Sequence, residues 1–392
     1  MRVLFTVIGN SRRSNYLTGE TMRSGGGGAS GTDTSNILIA EYLASQGYEV
    51  VYCSEKLEVA LEQDLKNKGI NPPLGRKING VKYTDFELTG VENKTFDILI
   101  NNLWFADYKK LPVKITKALI YWSHMQWLYG MGEIIDYVNE NNLSLGIVNI
   151  SLWERDMNMS TILHLFKNTS NTQVTLIPNP ITDDILTQVK NMNLPKKPGK
   201  FVFHAAWARG GNIAIDAVRK LDIPNKEFHA FDYLMATHRH EDDYFNLHNG
   251  VDKITLFKHL AEAEYFLYPL YTPYEDVHKD TFSCVVAEAI ALGTVPITYP
   301  LGALPENFSG YCGWVDAPEG VNLRQMNQEA LSKDPNHIFN SRDLIVNKYN
   351  ELESTGNLKN YVQKNGFNYI INNFKVETVG KQWVDFIKKL GI

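Results

Sequence analysis

The chain has 392 residues, more than one ordinary core organises, so two domains of about 150–200 residues are expected. A composition of 44% hydrophobic and 21% charged residues is that of a globular protein. The net charge of −5 excludes a general attraction to nucleic acid or anionic membrane, so anion sites must come from single basic residues and helix ends.

Three cysteines, Cys53, Cys284 and Cys312, form no paired or metal-binding spacing. They fit a reducing compartment, and Cys53 and Cys284 read as small buried residues. The apolar run at 1–8 is too short for a signal peptide, and no stretch reaches the roughly 20 apolar residues of a membrane span. A cytoplasmic protein without a transmembrane segment is expected.

In chain order, Val3 to Ile8 is a short apolar run of the kind that forms a central parallel strand. A polar loop with Arg12, Arg13, Arg23 and Gly25 to Gly28 follows. Asp33 or Thr34 is placed to cap a helix over Ser35 to Gln46, with Gly47 ending it and Tyr48 to Cys53 as the second strand. The glycine run lies too far from the first strand to be a dinucleotide fingerprint. It reads either as a loop whose backbone approaches a ligand or as a surface linker. Further strands are expected at Phe96 to Ile100, Ala118 to Trp122 and Leu145 to Asn149. The C-terminal ends of parallel strands carry ligand sites, which singles out His124 beside Trp127, and Trp104 after the third strand. The prolines of Ile177-Pro178-Asn179-Pro180 close the first domain, and 181–200, with Pro195 and Pro198, reads as a linker.

The second half repeats the rhythm. Phe201 to His204 is a strand, Arg209-Gly210-Gly211 its loop, and Asn212 to Leu221 a helix. Arg209 beside two glycines at a helix start suits a diphosphate. Strands are expected at Phe228 to Phe231 and Lys253 to Phe257, a short helix at Lys258 to Ala263, and a strand at Tyr265 to Leu270. Asp280 precedes a small, apolar helix that carries Glu288 and ends at Gly293, where a left-handed cap is expected. The segment His238-Arg239-His240-Glu241-Asp242-Asp243 matches no zinc spacing. At the end, Val379, Trp383, Phe386, Ile387 and Leu390 make one helical stripe that docks on the protein's own surface.

Four of these places together resemble the GT-B glycosyltransferases, and most closely the retaining enzymes of glycosyltransferase family 4, over nearly the whole chain. Ser24 to Gly28 with the helix after it is similar to that family's opening glycine loop. Ile177-Pro178-Asn179-Pro180 is similar to its Ile-Pro-Asn-Gly interdomain element. Ala208-Arg209-Gly210-Gly211 stands where the family has a basic residue and glycine for the donor diphosphate. Asp280 to Glu288 resembles its acid–seven residues–acid motif. The departures are Asp280 where the family usually has Glu, Arg209 and His204 where it has Lys and Arg, and Pro180 where it has Gly; they suggest a divergent branch.

The resemblance implies an α/β GT-B fold, two Rossmann-like domains whose parallel sheets face a central cleft, with a C-terminal helix crossing back to the N-terminal domain. The implied boundaries are 1–180 for the acceptor-binding domain, 181–200 for the linker, 201–372 for the nucleotide-sugar-binding domain and 373–392 for the returning helix. The implied activity is transfer of a hexose, glucose or mannose type, from a UDP- or GDP-sugar to a glycan or other hydroxyl acceptor, with retained anomeric configuration. No metal, cofactor or nucleic-acid partner is expected. Catalysis falls to His124, Asp280 and Arg209. Donor contacts fall to Gly27, Gly28, Arg209, Asn249, Leu256, Thr281, Phe282, Ser283 and Glu288, and acceptor contacts to Arg12, Arg13, Trp104 and Trp127. An epimerase of the same fold acting on a sugar nucleotide, and a non-catalytic nucleotide- or carbohydrate-binding module, are the alternatives. A nicotinamide dehydrogenase is disfavoured by the misplaced glycines.

Overall fold

The computed structural model describes residues 1–7, 18–24, 31–54, 74–102, 111–124, 128, 130–232, 242–249, 251–270, 280–316 and 336–392. The chain divides into two units, residues 1–182 with 374–392, and residues 183–373.

In the first unit the strands are β1 (Arg2–Val7), β2 (Glu49–Ser54), β3 (Lys77–Ile78), β4 (Val81–Asp85), β5 (Thr95–Asn102), β6 (Lys114–Trp122), β7 (Ser144–Asn149) and β8 (Thr172–Leu176). They form one sheet in the order β3-β4-β2-β1-β5-β6-β7-β8, parallel except for the β3–β4 pair. Leu4, Phe5, Ile98, Leu99, Leu119 and Ile120 are fully buried. That is expected of a parallel sheet covered on both faces, whose strands cannot alternate apolar with polar. The helices are α1 (Gly19–Ser24), α2 (Gly31–Ser45), α3 (Met131–Glu140), α4 (Leu152–Met157) and α5 (Met159–Asn168). The helix α2 starts earlier than its sequence suggests. Asp33 therefore lies in the first turn, where an acid complements the helix dipole, and is not the cap. Gly47 follows the helix with φ +86°, the conformation expected of a terminating glycine.

The second unit contains α6 (Asp183–Lys190), β9 (Lys197–His204), α7 (Gly211–Lys220), β10 (Glu227–Asp232), β11 (Phe245–Asn249), α8 (Lys253–Glu262), β12 (Ala263–Tyr268), α9 (Cys284–Ala291), β13 (Val295–Thr298), α10 (Leu304–Phe308), β14 (Gly313–Trp314), α11 (Asn336–Thr355) and α12 (Asn357–Phe374). Its parallel sheet runs β11-β10-β9-β12-β13-β14. Counted from β9, this is the Rossmann order 3-2-1-4-5-6. The direction of winding reverses between β9 and β12, so the strand ends there open onto a crevice.

Two expectations in this half are corrected. The stretch 181–200 is not a bare linker. Ile185, Leu186 and Val189 bury one face of α6, whose acidic first turn and basic last turn suit its dipole. Lys253 to Phe257 is not a strand but the first half of α8. Asp252 caps it by accepting from Thr255 N at 2.7 Å, and Leu256, Phe257, Leu260 and Ala261 form its buried face.

The last helix, α13 (Val376–Lys389), belongs to the first unit. Val379, Trp383 and Ile387 are fully buried, and the Trp383 ring meets Trp122 edge-on at 4.6 Å. Phe386 lies against Gly146, and Gln173 Nε2 donates to Lys389 O at 2.7 Å. The apolar stripe docks on the protein's own sheet, and the chain returns to the domain in which it began.

Candidate active site

The loops after β9, β12 and β13 meet at the reversal point of the second sheet. The chain leaves β9 through a 3-10 turn, Trp207–Arg209, and enters α7 at Gly210, whose φ of 103° favours glycine. Trp207 lies over the Cα of Gly211 and donates from Nε1 to Asn212 Oδ1 at 2.9 Å. The missing side chain of Gly211 therefore makes room for an indole rather than for a phosphate.

The turn projects Arg209 onto Asp280. Arg209 Nη1 donates to Asp280 Oδ1 at 3.1 Å and to the Tyr268 hydroxyl at 3.2 Å, while that hydroxyl donates to Asp280 Oδ2 at 2.7 Å. Tyr268 is the last residue of β12 and is buried. Burial, reinforced by the Asp280 charge, raises its pKa well above the ordinary phenol value and keeps it a neutral donor. The loop after β13 closes the third side. Ala303 N donates to Asp280 O at 2.8 Å, and a Cβ on Gly302, whose φ is +59°, would collide with that same carbonyl. Asp280 is thus held by a cation, a phenol and a backbone amide.

Asp280 leads into α9 by way of Ser283, which sits in the left-handed region at φ 68°, ψ 81°. A serine there is unusual and costs roughly 1–3 kcal/mol, a strain that clusters at ligand sites. No side chain caps this helix start, and Ser283 Oγ is buried with no hydrogen-bond partner among the described residues. One helical face further along, Glu288 is 2% exposed and receives Lys253 Nζ at 2.5 Å on Oε1. Because Lys253 opens α8, this pair ties the start of α8 to the middle of α9.

The remaining expected residues fall out differently. Phe282 is buried edge-on against Phe308 at 6.0 Å, which leaves its backbone at the helix start, and Thr281 is half-buried beside it. Leu256 turns into the core under α8. Asn249 ends β11, and its side chain lies outside the described residues. His204, at the position the resemblance gives to an arginine, is no cation. Burial lowers its pKa to about 4, and its Nδ1 donates to Phe231 O at 3.1 Å.

In the first unit, His124 follows β6, with Thr32 Oγ1 3.4 Å from Nδ1 and the Trp122 ring at 4.7 Å. Burial pushes its pKa down to about 3, so it is a neutral imidazole. Close by, Ser123 donates to the fully buried Glu154 at 2.7 Å, and Ile150 N donates to its other oxygen at 2.7 Å. Gly27, Gly28, Arg12, Arg13, Trp104 and Trp127 lie outside the described residues.

Two site residues were not foreseen in the sequence. Tyr268 reads as strand core, since its ring is apolar and only the fold brings its hydroxyl to Asp280. Lys253 is hidden by the mistaken strand at 253–257. The cap signal Asp252-x-x-Thr255 was the clue that would have placed it at a helix start.

The sequence matches no protein-family model, and no curated protein is significantly similar to it. Solved structures are similar throughout. Sucrose-phosphate synthase from Thermosynechococcus elongatus superposes with a TM-score of 0.61 at 13% identity, over 99% of this chain and 98% of that one. HepE from Anabaena, solved with UDP and glucose, gives 0.58 at 12% identity over 99% and 100%. A glycosyltransferase from Rickettsia africae gives 0.53 at 14% identity over 99% and 98%. At such identities the likeness defines the fold: the chain has the two Rossmann-like domains of the GT-B glycosyltransferases.

Proposed function

We propose that the protein is a glycosyltransferase that moves a hexose from a nucleoside diphosphate sugar to an acceptor hydroxyl with retention of configuration. The observation that carries this reading is the Arg209–Asp280–Tyr268 cluster at the reversal point of a Rossmann sheet, directly before a helix start with no side-chain cap. A diphosphate needs fixed positive charge and backbone donors, and Arg209 with the start of α9 supplies both kinds. Asp280 accepts hydrogen bonds from hydroxyls of the transferred sugar, and its two donors fix its direction. Glu288, paired with Lys253, takes the ribose hydroxyls. That HepE was solved with UDP and with UDP-glucose favours a uridine donor carrying glucose.

Chemically, the C1–oxygen bond to the diphosphate breaks as the acceptor oxygen bonds C1 on the same face. The departing phosphate oxygen takes the acceptor's proton. Arg209 and the amides of α9 stabilise the charge that grows on the leaving diphosphate, which is the largest demand on such a site. His124, neutral at working pH, offers a hydrogen bond to the sugar without adding charge. Acceptor contacts are assigned to Arg12, Arg13, Trp104 and Trp127 of the N-terminal domain. Because Arg209 and helix-end amides serve the leaving group, added magnesium or manganese is not expected to change the rate.

The test is a donor screen. The protein is incubated with UDP- and GDP-hexoses and a panel of hydroxyl acceptors, and the product anomer is read by NMR. A glycoside with the donor's configuration supports the reading. An inverted glycoside rejects retention, and an epimerised sugar nucleotide points to the epimerase. Binding without any product points to a non-catalytic module.

A further inference from the structure

Three histidines from separate stretches of the second unit come together at the edge of its sheet. His229 lies on β10, His248 on the edge strand β11, and His259 on α8. One ring nitrogen from each lies within 4.8 Å of the others. The rings pack at 4.5–5.2 Å between centroids, and Phe231 stacks on His248 at 4.5 Å. In the sequence these residues have no ligand spacing. Parallel pairing of Phe231 with His248 sets the two strands in register, and α8 brings the third ring over them.

We propose that His229, His248 and His259 form a binding site for a divalent zinc-type cation, with Glu227 as its outer carboxylate. The proposal is independent of the glycosyl-transfer reading. Imidazole nitrogens select borderline transition metals over magnesium or calcium, and three of them leave a fourth position for water. Metal-bound histidines typically donate their second N–H to a carboxylate. His229 Nε2 stands 3.0 Å from Glu227 Oε2 in just that arrangement, which leaves Nδ1 as the lone-pair nitrogen. His248 Nε2 lies 2.9 Å from His229 Nδ1, so without metal it is the N–H that occupies this lone pair. Moving that proton to His248 Nδ1 gives two lone pairs facing one point. Tetrahedral zinc at Zn–N distances of about 2.0–2.1 Å sets its nitrogens roughly 3.3 Å apart, so the pair needs to open by only a few tenths of an ångström. His259 Nδ1 is buried and has no partner among the described residues.

The electrostatics point the same way. His229 is buried, His248 and His259 are half-buried, and Glu227 accepts from His229 across the outer side of the cluster. Lys200, the cation whose field also reaches the cluster, is paired with Glu262 at 2.6 Å. A bound cation would clamp β10, β11 and α8 together, and α8 carries Lys253 onto Glu288.

The full-length protein, stripped with a chelator, is titrated with zinc chloride by calorimetry and with cobalt chloride by visible absorption. One zinc per chain, a tetrahedral cobalt spectrum and a raised Tm are expected. His248→Ala and His259→Ala should each abolish the zinc-dependent Tm shift, and Glu227→Gln should weaken binding by roughly 10–100-fold. Circular dichroism without metal checks that the variants fold, and His248→Gln, at a half-buried edge position, serves if the alanine variants do not. The proposal is overturned if stripped protein binds no zinc, or if it binds equally well in the folded His248 and His259 variants, which would place the metal elsewhere.

Discussion

At the residue scale, the site is a set of charges whose partners are already chosen. Glu288 and Lys253 are a nearly buried ion pair, at 2% and 11% side-chain exposure. Breaking such a pair from one side strands a charge, which typically costs about 3–5 kcal/mol. Lys253→Met and Glu288→Gln are therefore expected to lower stability by that amount in urea melts. The double change to Met and Leu should recover most of it, because neither charge is then left unpaired. The histidines fix the pH profile. The pKa of His204 is lowered to about 4 and that of His124 to about 3, against 6.5 ordinarily. Below pH 6.5 the unfolded chain takes up protons that the folded chain refuses, so stability falls as pH drops, by up to about 1.4 kcal/mol per unit for each histidine. Above pH 6.5 these groups are neutral in both states and contribute no slope. Between pH 6.5 and pH 4 Tm should fall as the pH drops, and His204→Gln should make the fall shallower.

At the element scale, what was legible depended on whether a signal was local. The helix α9, its terminating Gly293 at φ +74° and the strand β13 after it follow from spacing and glycine conformation alone. So do the apolar strands β1, β5 and β7. The α8 stretch was misread because Ile254, Leu256 and Phe257 mimic a short buried strand, and only the cap at Asp252 distinguishes a helix. The 181–200 stretch was misread because its prolines and lysines look solvated. In the structure Lys196 is half-buried, donating to Ala263 O at 2.7 Å, Leu292 O at 3.1 Å and Thr294 Oγ1 at 2.9 Å. It thereby serves the carbonyl ends of two helices, α8 and α9, a role no pattern in the chain announces. The loop after β13 gives the sharpest test at this scale. Gly302→Ala adds a methyl against the Asp280 carbonyl at a positive φ, so it should displace Asp280. The expected result is a loss of kcat/KM of about tenfold or more, accompanied by a lowered Tm from the strained φ. A variant with unchanged kinetics would show that the position of Asp280 does not matter.

At the scale of the whole molecule, the two-domain plan was legible because each half repeats the strand–loop–helix rhythm, and the interruption at Pro178-Asn179-Pro180 lies close to the observed division after Thr182. The spacing of the terminal stripe made its docking on the protein's own surface legible, while its return to the first domain was implied only by the family resemblance. The three-histidine cluster was not legible, because its members meet only through strand register. The return carries a stability prediction. Trp383 is fully buried against Trp122, and truncating such a side chain costs roughly 3–5 kcal/mol. Trp383→Ala should lower the unfolding transition of the first unit and leave that of the second unchanged, as read by calorimetry or by hydrogen exchange across 1–182 and 183–373.

Arg209 and the helix beginning after Ser283 are proposed to hold the diphosphate of a sugar nucleotide, with Glu288 on its ribose. The most direct measurement is calorimetric titration of the wild-type and Arg209→Ala proteins with UDP, GDP and ADP. Saturable binding of at least one of them, weakened tenfold or more by Arg209→Ala, is the predicted result. No binding of any of the three, or equal affinity in the two proteins, would contradict it.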